Sequence, residues 1–152
     1  MAEPIYDVIV VGGGPGGASA ASFLGAKGRK VLLLEKEKFP RDKTCGDAIS
    51  GKAIGIISEL GMDGCLMKAG HSEITGITFS SPNGKAISIP FNKDGNGVGK
   101  SFVCRRMVFD KLLWDCAKNS ATAIDGAHVL GVLREGGKIA GDARRKLEKE
   151  TN

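Results

Sequence analysis

The chain has 152 residues, 41% of them apolar and 26% charged, which suits one globular domain large enough for a real core. Lys and Arg number 22 against 17 Asp and Glu, and the resulting +5 suits an anionic membrane surface or a phosphorylated substrate as well as a plainly solvated exterior. Aromatics make up only 5% and no basic stripe interleaves with them, which argues against a nucleic-acid partner.

In chain order, Ile5 to Glu35 contain the most specific signal. Val8, Ile9, Val10 and Val11 form a β-branched run fit for a parallel strand covered on both faces. Glu3 and Asp7 stand where a secretion signal carries basic residues, so the segment reads as a core strand and the chain as cytoplasmic. Gly12, Gly14 and Gly17 then keep the G-x-G-x-x-G spacing. The first allows a tight turn, the second lets backbone approach a pyrophosphate, and the third lets a helix lie close to the strand. Pro15 suits the first helical turn, whose N–H groups offer partial positive charge to phosphate. A second buried strand ends at Glu35, where an acid can accept hydrogen bonds from ribose hydroxyls. Strand, turn, helix, strand and acid in this order predict a dinucleotide site.

A polar, basic loop, Lys36 to Ala48, follows, then a helix from Ser50 to Leu60 with Ile54, Ile57 and Leu60 on one face. Met62 to His71 reads as irregular. Ile74, Ile77 and Phe79, the turn Ser81-Pro82-Asn83-Gly84, and Ala86, Ile87 and Ile89 predict a hairpin. Asn92 to Gly99 reads as a loop and Lys100 to Arg105 as a strand. Arg106 to Ser120 is helical, with Val108, Leu112, Leu113 and Cys116 inward and Asp110, Lys111, Asp115 and Lys118 toward solvent. Thr122 to Asp125 is a short parallel strand. The last hairpin runs through Val129 to Leu133, turns at Gly136-Gly137 and returns through Ile139. The fold class is therefore α/β: a Rossmann-like βαβ unit, interrupted by antiparallel strands over 62–104 and followed by a β-meander. The partial domain covers 1–141, and a polar, disordered tail is expected over 142–152.

Cys45, Cys65, Cys104 and Cys116 lack metal-ligand spacing, so no metal site is expected. Cys65, Cys104 and Cys116 read as small core residues. Cys45 lies in the basic loop, where Arg41 and Lys43 could lower its thiol pKa and stabilise negative charge on a reduced cofactor or a lipid phosphate. His71 and His128 read as surface or packing residues.

With YDVIVVGGGPGG, Glu35, FPRDKTCGDAISGKA and the Arg106…Phe109-Asp110 helix start in view, the chain resembles the geranylgeranyl reductase family of flavoproteins, its archaeal digeranylgeranylglycerophospholipid reductases in particular. The resemblance implies an FAD cofactor and saturation of isoprenoid double bonds in prenylated lipids; beside the cytoplasmic reading, the net charge leaves a peripheral place on a membrane surface open. It places Gly12, Gly14, Pro15, Gly16 and Gly17 around the pyrophosphate and Glu35 at the adenosine ribose. Cys45, Gly46 and Ala48 fall along the flavin, Arg106 reaches the cofactor, and Val129 meets the adenine through its backbone. Cys45 is also the candidate catalytic residue, as a proton donor or substrate-side contact. Where the family often reads Cys-Gly-Glu-Gly this chain has Cys-Gly-Asp-Ala, which adds a methyl group at Ala48.

Family members are more than twice as long, with a later Gly-Asp-Ala-like flavin motif and a lipid-enclosing domain. Gly141-Asp142-Ala143 follows a hairpin strand and reads as a coincidental match. The expectation is an N-terminal fragment, inactive alone, with a complementing C-terminal polypeptide as partner and an unpaired edge on the first strand. An FAD-dependent monooxygenase or halogenase, and a non-enzymatic nucleotide-binding remnant, are the alternatives.

Overall fold

The computed structural model describes residues 5–91 and 101–146. Contacts divide the chain into two compact units, Met1–Asp42 with Phe109–Asn152, and Lys43–Val108.

The first unit is built on a parallel sheet. β1 (Val8–Val11) and β2 (Val31–Leu34) pair Val8 with Val31 through Val11 with Leu34, and α1 (Pro15–Ala26) makes the crossover. Residues Val31 to Leu34 are all buried, so β2 is the central strand its unbroken apolar run predicts. β8 (Thr122–Ile124) joins its other side in parallel, giving the order β1-β2-β8. Among the described residues no strand pairs with the outer edge of β1. α1 buries Ala18, Ala21 and Ser22, small side chains that let it approach the sheet.

α4 (Arg106–Ala117) buries Phe109, Asp110, Leu113, Trp114 and Ala117. This corrects the sequence reading of the helix: Asp110 is 0% exposed rather than solvated, and Trp114 belongs to the inner face. β9 (Ala127–Glu135) and β10 (Lys138–Lys146) form the closing hairpin. The strand therefore runs past the expected limit at Gly141, and Gly141 to Ala143 lie in register with Leu133, Val132 and Gly131. A strand paired through Lys146 occupies the first part of the expected tail, since antiparallel pairing is made by the backbone and needs no apolar run. Leu32, Leu34 and Ala127 form a core cluster capped by Tyr6, Ile9 and Val129.

In the second unit, β3 (Ala48–Ile49), β4 (His71–Ile74) and β7 (Ser101–Cys104) make an antiparallel sheet with β7 central. α2 (Gly51–Glu59) buries Ile57. α3 (Asp63–Lys68) occupies part of the stretch expected to be irregular. Met62 and Leu66 are its buried anchors, while Cys65, expected in the core, is exposed. Glycines at 61, 64 and 70 hide so short a helix from a periodicity reading. β5 (Gly76–Ser80) and β6 (Ala86–Pro90) form the predicted hairpin, with Ile77 opposite Ile89 and Phe79 opposite Ile87. Ile74 ends β4 rather than starting this hairpin. His71 packs edge-on against Phe102 and Cys104 is buried, as packing residues. The loop expected over Asn92 to Gly99, Lys100, and the tail beyond residue 146 lie outside the described residues.

Candidate functional site

The turn after β1 is held by backbone and by one acid. Gly12 has φ 101, and its N–H donates to the Leu34 carbonyl at 2.7 Å. A Cβ on Gly17 would stand 1.9 Å from the Gly12 carbonyl oxygen, so the helix start sits as close to the turn as the spacing predicts. α1 begins at Pro15 behind Gly14, with no side-chain cap and no acid in its first turn. Its N-terminal N–H groups are therefore left for an anion. Gly16 has open space where a Cβ would point, which leaves room for a ligand against the backbone.

Glu35 is 5% exposed and turns toward this turn. Its Oε2 accepts the Gly13 N–H at 2.7 Å, and its Oε1 accepts the Glu37 N–H at 3.0 Å. Each oxygen has a further lone pair, so ribose hydroxyls can add to these bonds without displacing them.

Four residues that the sequence reading left out or misplaced surround the acid. Arg41 Nη1 lies 3.0 Å from Asp110 Oδ2, and its Nη2 lies 3.7 Å from Glu35 Oε2. Arg41 thus faces two carboxylates, partners that the reading of the basic loop did not foresee. Its guanidinium also lies 5.2 Å from the Phe39 ring centre, and Phe39 stacks on Trp114 at 4.6 Å. Trp114 fills the space a side chain at Gly13 would need. The signals were present in the sequence: the middle glycine of the run Gly12 to Gly14, and a lone tryptophan and an aspartate on one helix.

In the second unit, the Cys45 thiol is exposed and its pKa is lowered. A hydrogen bond from the Asp47 backbone is the main cause, followed by the Arg106 side chain, with desolvation and, less, the Asp47 charge opposing. The direction is the expected one, but the cause is Asp47 and Arg106 rather than Arg41 and Lys43. Asp47 has φ 56, and its carbonyl accepts the Cys104 N–H at 2.9 Å. Ala48 is exposed in β3, opposite Val103. Burial pushes the Cys104 thiol pKa up. Val129 lies opposite Arg144 in the closing hairpin, and its side chain packs on the core cluster. Among the described residues no His, Cys, Asp and Glu cluster could hold a metal, and no helix is long and apolar enough to cross a membrane.

The FAD-binding domain family matches residues 5–152. The chain is 46% identical over 87 residues to conditioned medium factor receptor 1 of Dictyostelium discoideum, covering 56% of this chain and 17% of that protein. It is 38% identical over 143 residues to the digeranylgeranylglycerophospholipid reductase of Thermoplasma acidophilum, covering 90% of this chain and 34% of that enzyme. The solved structure of the myxobacterial FAD-dependent chondrochloren halogenase superposes with a TM-score of 0.84 at 31% identity, over 95% of this chain and 34% of that one. The chain spans about a third or less of the length of these relatives. Its resemblance to the geranylgeranyl reductases holds over most of its length. An uncapped helix start, an open glycine turn and a carboxylate fixed beside it fit the adenosine diphosphate half of FAD. The chain belongs to the FAD-binding domain family, and its cofactor is FAD.

Proposed function

We propose that this chain is the FAD-binding portion of a reductase that saturates isoprenoid double bonds of prenylated membrane lipids. The observation that carries the reading is the 38% identity to the archaeal lipid reductase over 143 residues, which includes the Cys45 loop. Bound FAD supplies the redox chemistry. The chain's residues bind and orient it. Gly12, Gly14, Pro15, Gly16 and Gly17 hold the pyrophosphate against the start of α1, and Glu35 accepts the adenosine ribose hydroxyls. Val129 offers its backbone to the adenine. Cys45, Gly46, Ala48 and Arg106 are assigned to the flavin side by the resemblance, and the lowered thiol pKa of Cys45 suits a proton-transfer or substrate-side role.

The halogenase superposition, at TM-score 0.84, favours a second reading as an oxygen-using flavoenzyme. A chimera decides between them: this chain fused to the remaining two-thirds of the Thermoplasma reductase, loaded with FAD, reduced, and given digeranylgeranylglycerophospholipid. Mass spectrometry of the lipid should show stepwise gain of hydrogen. A flavin-loaded chimera that leaves the lipid unsaturated, yet consumes oxygen and halogenates an aromatic when given halide, would replace the first reading with the second.

A further inference from the structure

Asp110 raises a question that FAD binding alone does not answer. It is a carboxylate with 0% exposure in the second turn of α4, a placement that is costly for a charge unless it is paired. One partner is Arg41, 3.0 Å away, and that same guanidinium faces Glu35 from its other end at 3.7 Å. Arg41 is itself held flat by Phe39, 5.2 Å below, and Phe39 by Trp114. Its Nε is buried with no hydrogen-bond partner, so the side chain keeps this pose even with one donor unused. Glu35 has the longer contact to the guanidinium, 3.7 Å against 3.0 Å for Asp110, so it is the acid less committed to Arg41.

We propose that Arg41, anchored by Asp110, is a positioning residue that presets Glu35 for the ribose hydroxyls of the adenosine half. The proposal rests on the assignment of Glu35 to the ribose. A planar fork can bond one carboxylate through one nitrogen and steer a second through the other, which the compact ammonium of lysine cannot do. Asp110 sets where that fork points. Neither residue touches the ligand; both act through the Glu35 carboxylate, whose Oε2 also fixes the Gly13 N–H.

The test compares binding of ADP with binding of 2′,3′-dideoxy-ADP by calorimetry on the 152-residue chain. The original chain should prefer ADP by about tenfold or more, and Glu35→Gln should lose most of that preference. Arg41→Lys and Asp110→Asn should each cut it to about threefold or less while circular dichroism shows the fold intact. In the Glu35→Gln background, Arg41→Lys should change the preference no further, whereas general loosening would add to the loss. Either variant suffices if the other does not fold. Retention of the full preference in Arg41→Lys and Asp110→Asn, when Glu35→Gln has lost it, overturns the positioning role and leaves the ribose assignment standing. Retention in Glu35→Gln itself overturns both.

Discussion

Gly13→Ala tests whether the turn is shaped by the tryptophan behind it. An added Cβ would lie 2.6 and 2.7 Å from two atoms of the Trp114 six-membered ring and 3.0 Å from Glu35 Cβ. The nearest distance is roughly 0.8 Å short of the 3.4 Å at which ordinary contact begins. Trp114 is 1% exposed and stacked on Phe39, so the ring has nowhere to retreat. Overpacking of this kind costs about 1–3 kcal/mol, or roughly 2–12 °C in a domain of this size. Urea denaturation followed by far-ultraviolet circular dichroism measures the loss. The decisive comparison is Trp114→Leu, which is itself destabilising but opens the space. In that background Gly13→Ala should cost at least about 1 kcal/mol less than in the original chain. Additive losses would mean that the clash is not with the indole, and the account of why Gly13 is a glycine would be wrong.

The remaining predictions test the ion cluster, the reactive thiol and the exposed hairpin. Asp110→Ala leaves Arg41 with its nearest acid gone and should lower stability by about 3–5 kcal/mol in urea melts; a loss below about 1 kcal/mol would show that the pair is solvated. Iodoacetamide labelling of Cys45, read by peptide mapping, should reach half its maximal rate below the pH of about 8.5 usual for a free thiol. Arg106→Met should move that midpoint upward, and an unmoved midpoint would remove Arg106 from the account. The sign follows from an acid whose folded pKa lies below its unfolded one: the contribution is present above the unfolded value and fades as pH falls through the folded one. Phe79→Lys, on the exposed apolar face of the β5–β6 hairpin, should cost less than about 1 kcal/mol and reduce self-association in light scattering. A large stability loss would mean that the face is packed.

The nucleotide half was legible because its determinants are local. Four β-branched residues, spaced glycines and a terminal acid each act within a few positions of themselves, and the parallel pairing of β1, β2 and β8 follows from them. The long hairpins were legible for the same reason, from alternation and turn residues. Asp110 was not, because an aspartate on a helix reads as solvated unless its distant partner is known, and that partner lies in a loop far back in the chain. Trp114 was overlooked for a related reason: its neighbours Gly13 and Phe39 come from two other segments. α3 was lost among glycines, since six residues give a helical period too little length to emerge. The Cys45 environment was anticipated in direction but not in origin, because backbone donors leave no trace in residue identity.

Arg41 and Asp110 stand one residue outside Asp42 and Phe109, the points where the chain leaves the first unit and returns to it. A buried ion pair at the neck of such an excursion bears the entropic cost of closing that loop, which grows only slowly with loop length. The turns within that segment, away from Cys45, Gly46, Ala48 and Arg106, can therefore be lengthened or shortened at modest cost to the adenosine-binding turn. Changes of length there meet a stem that the buried pair has already tied.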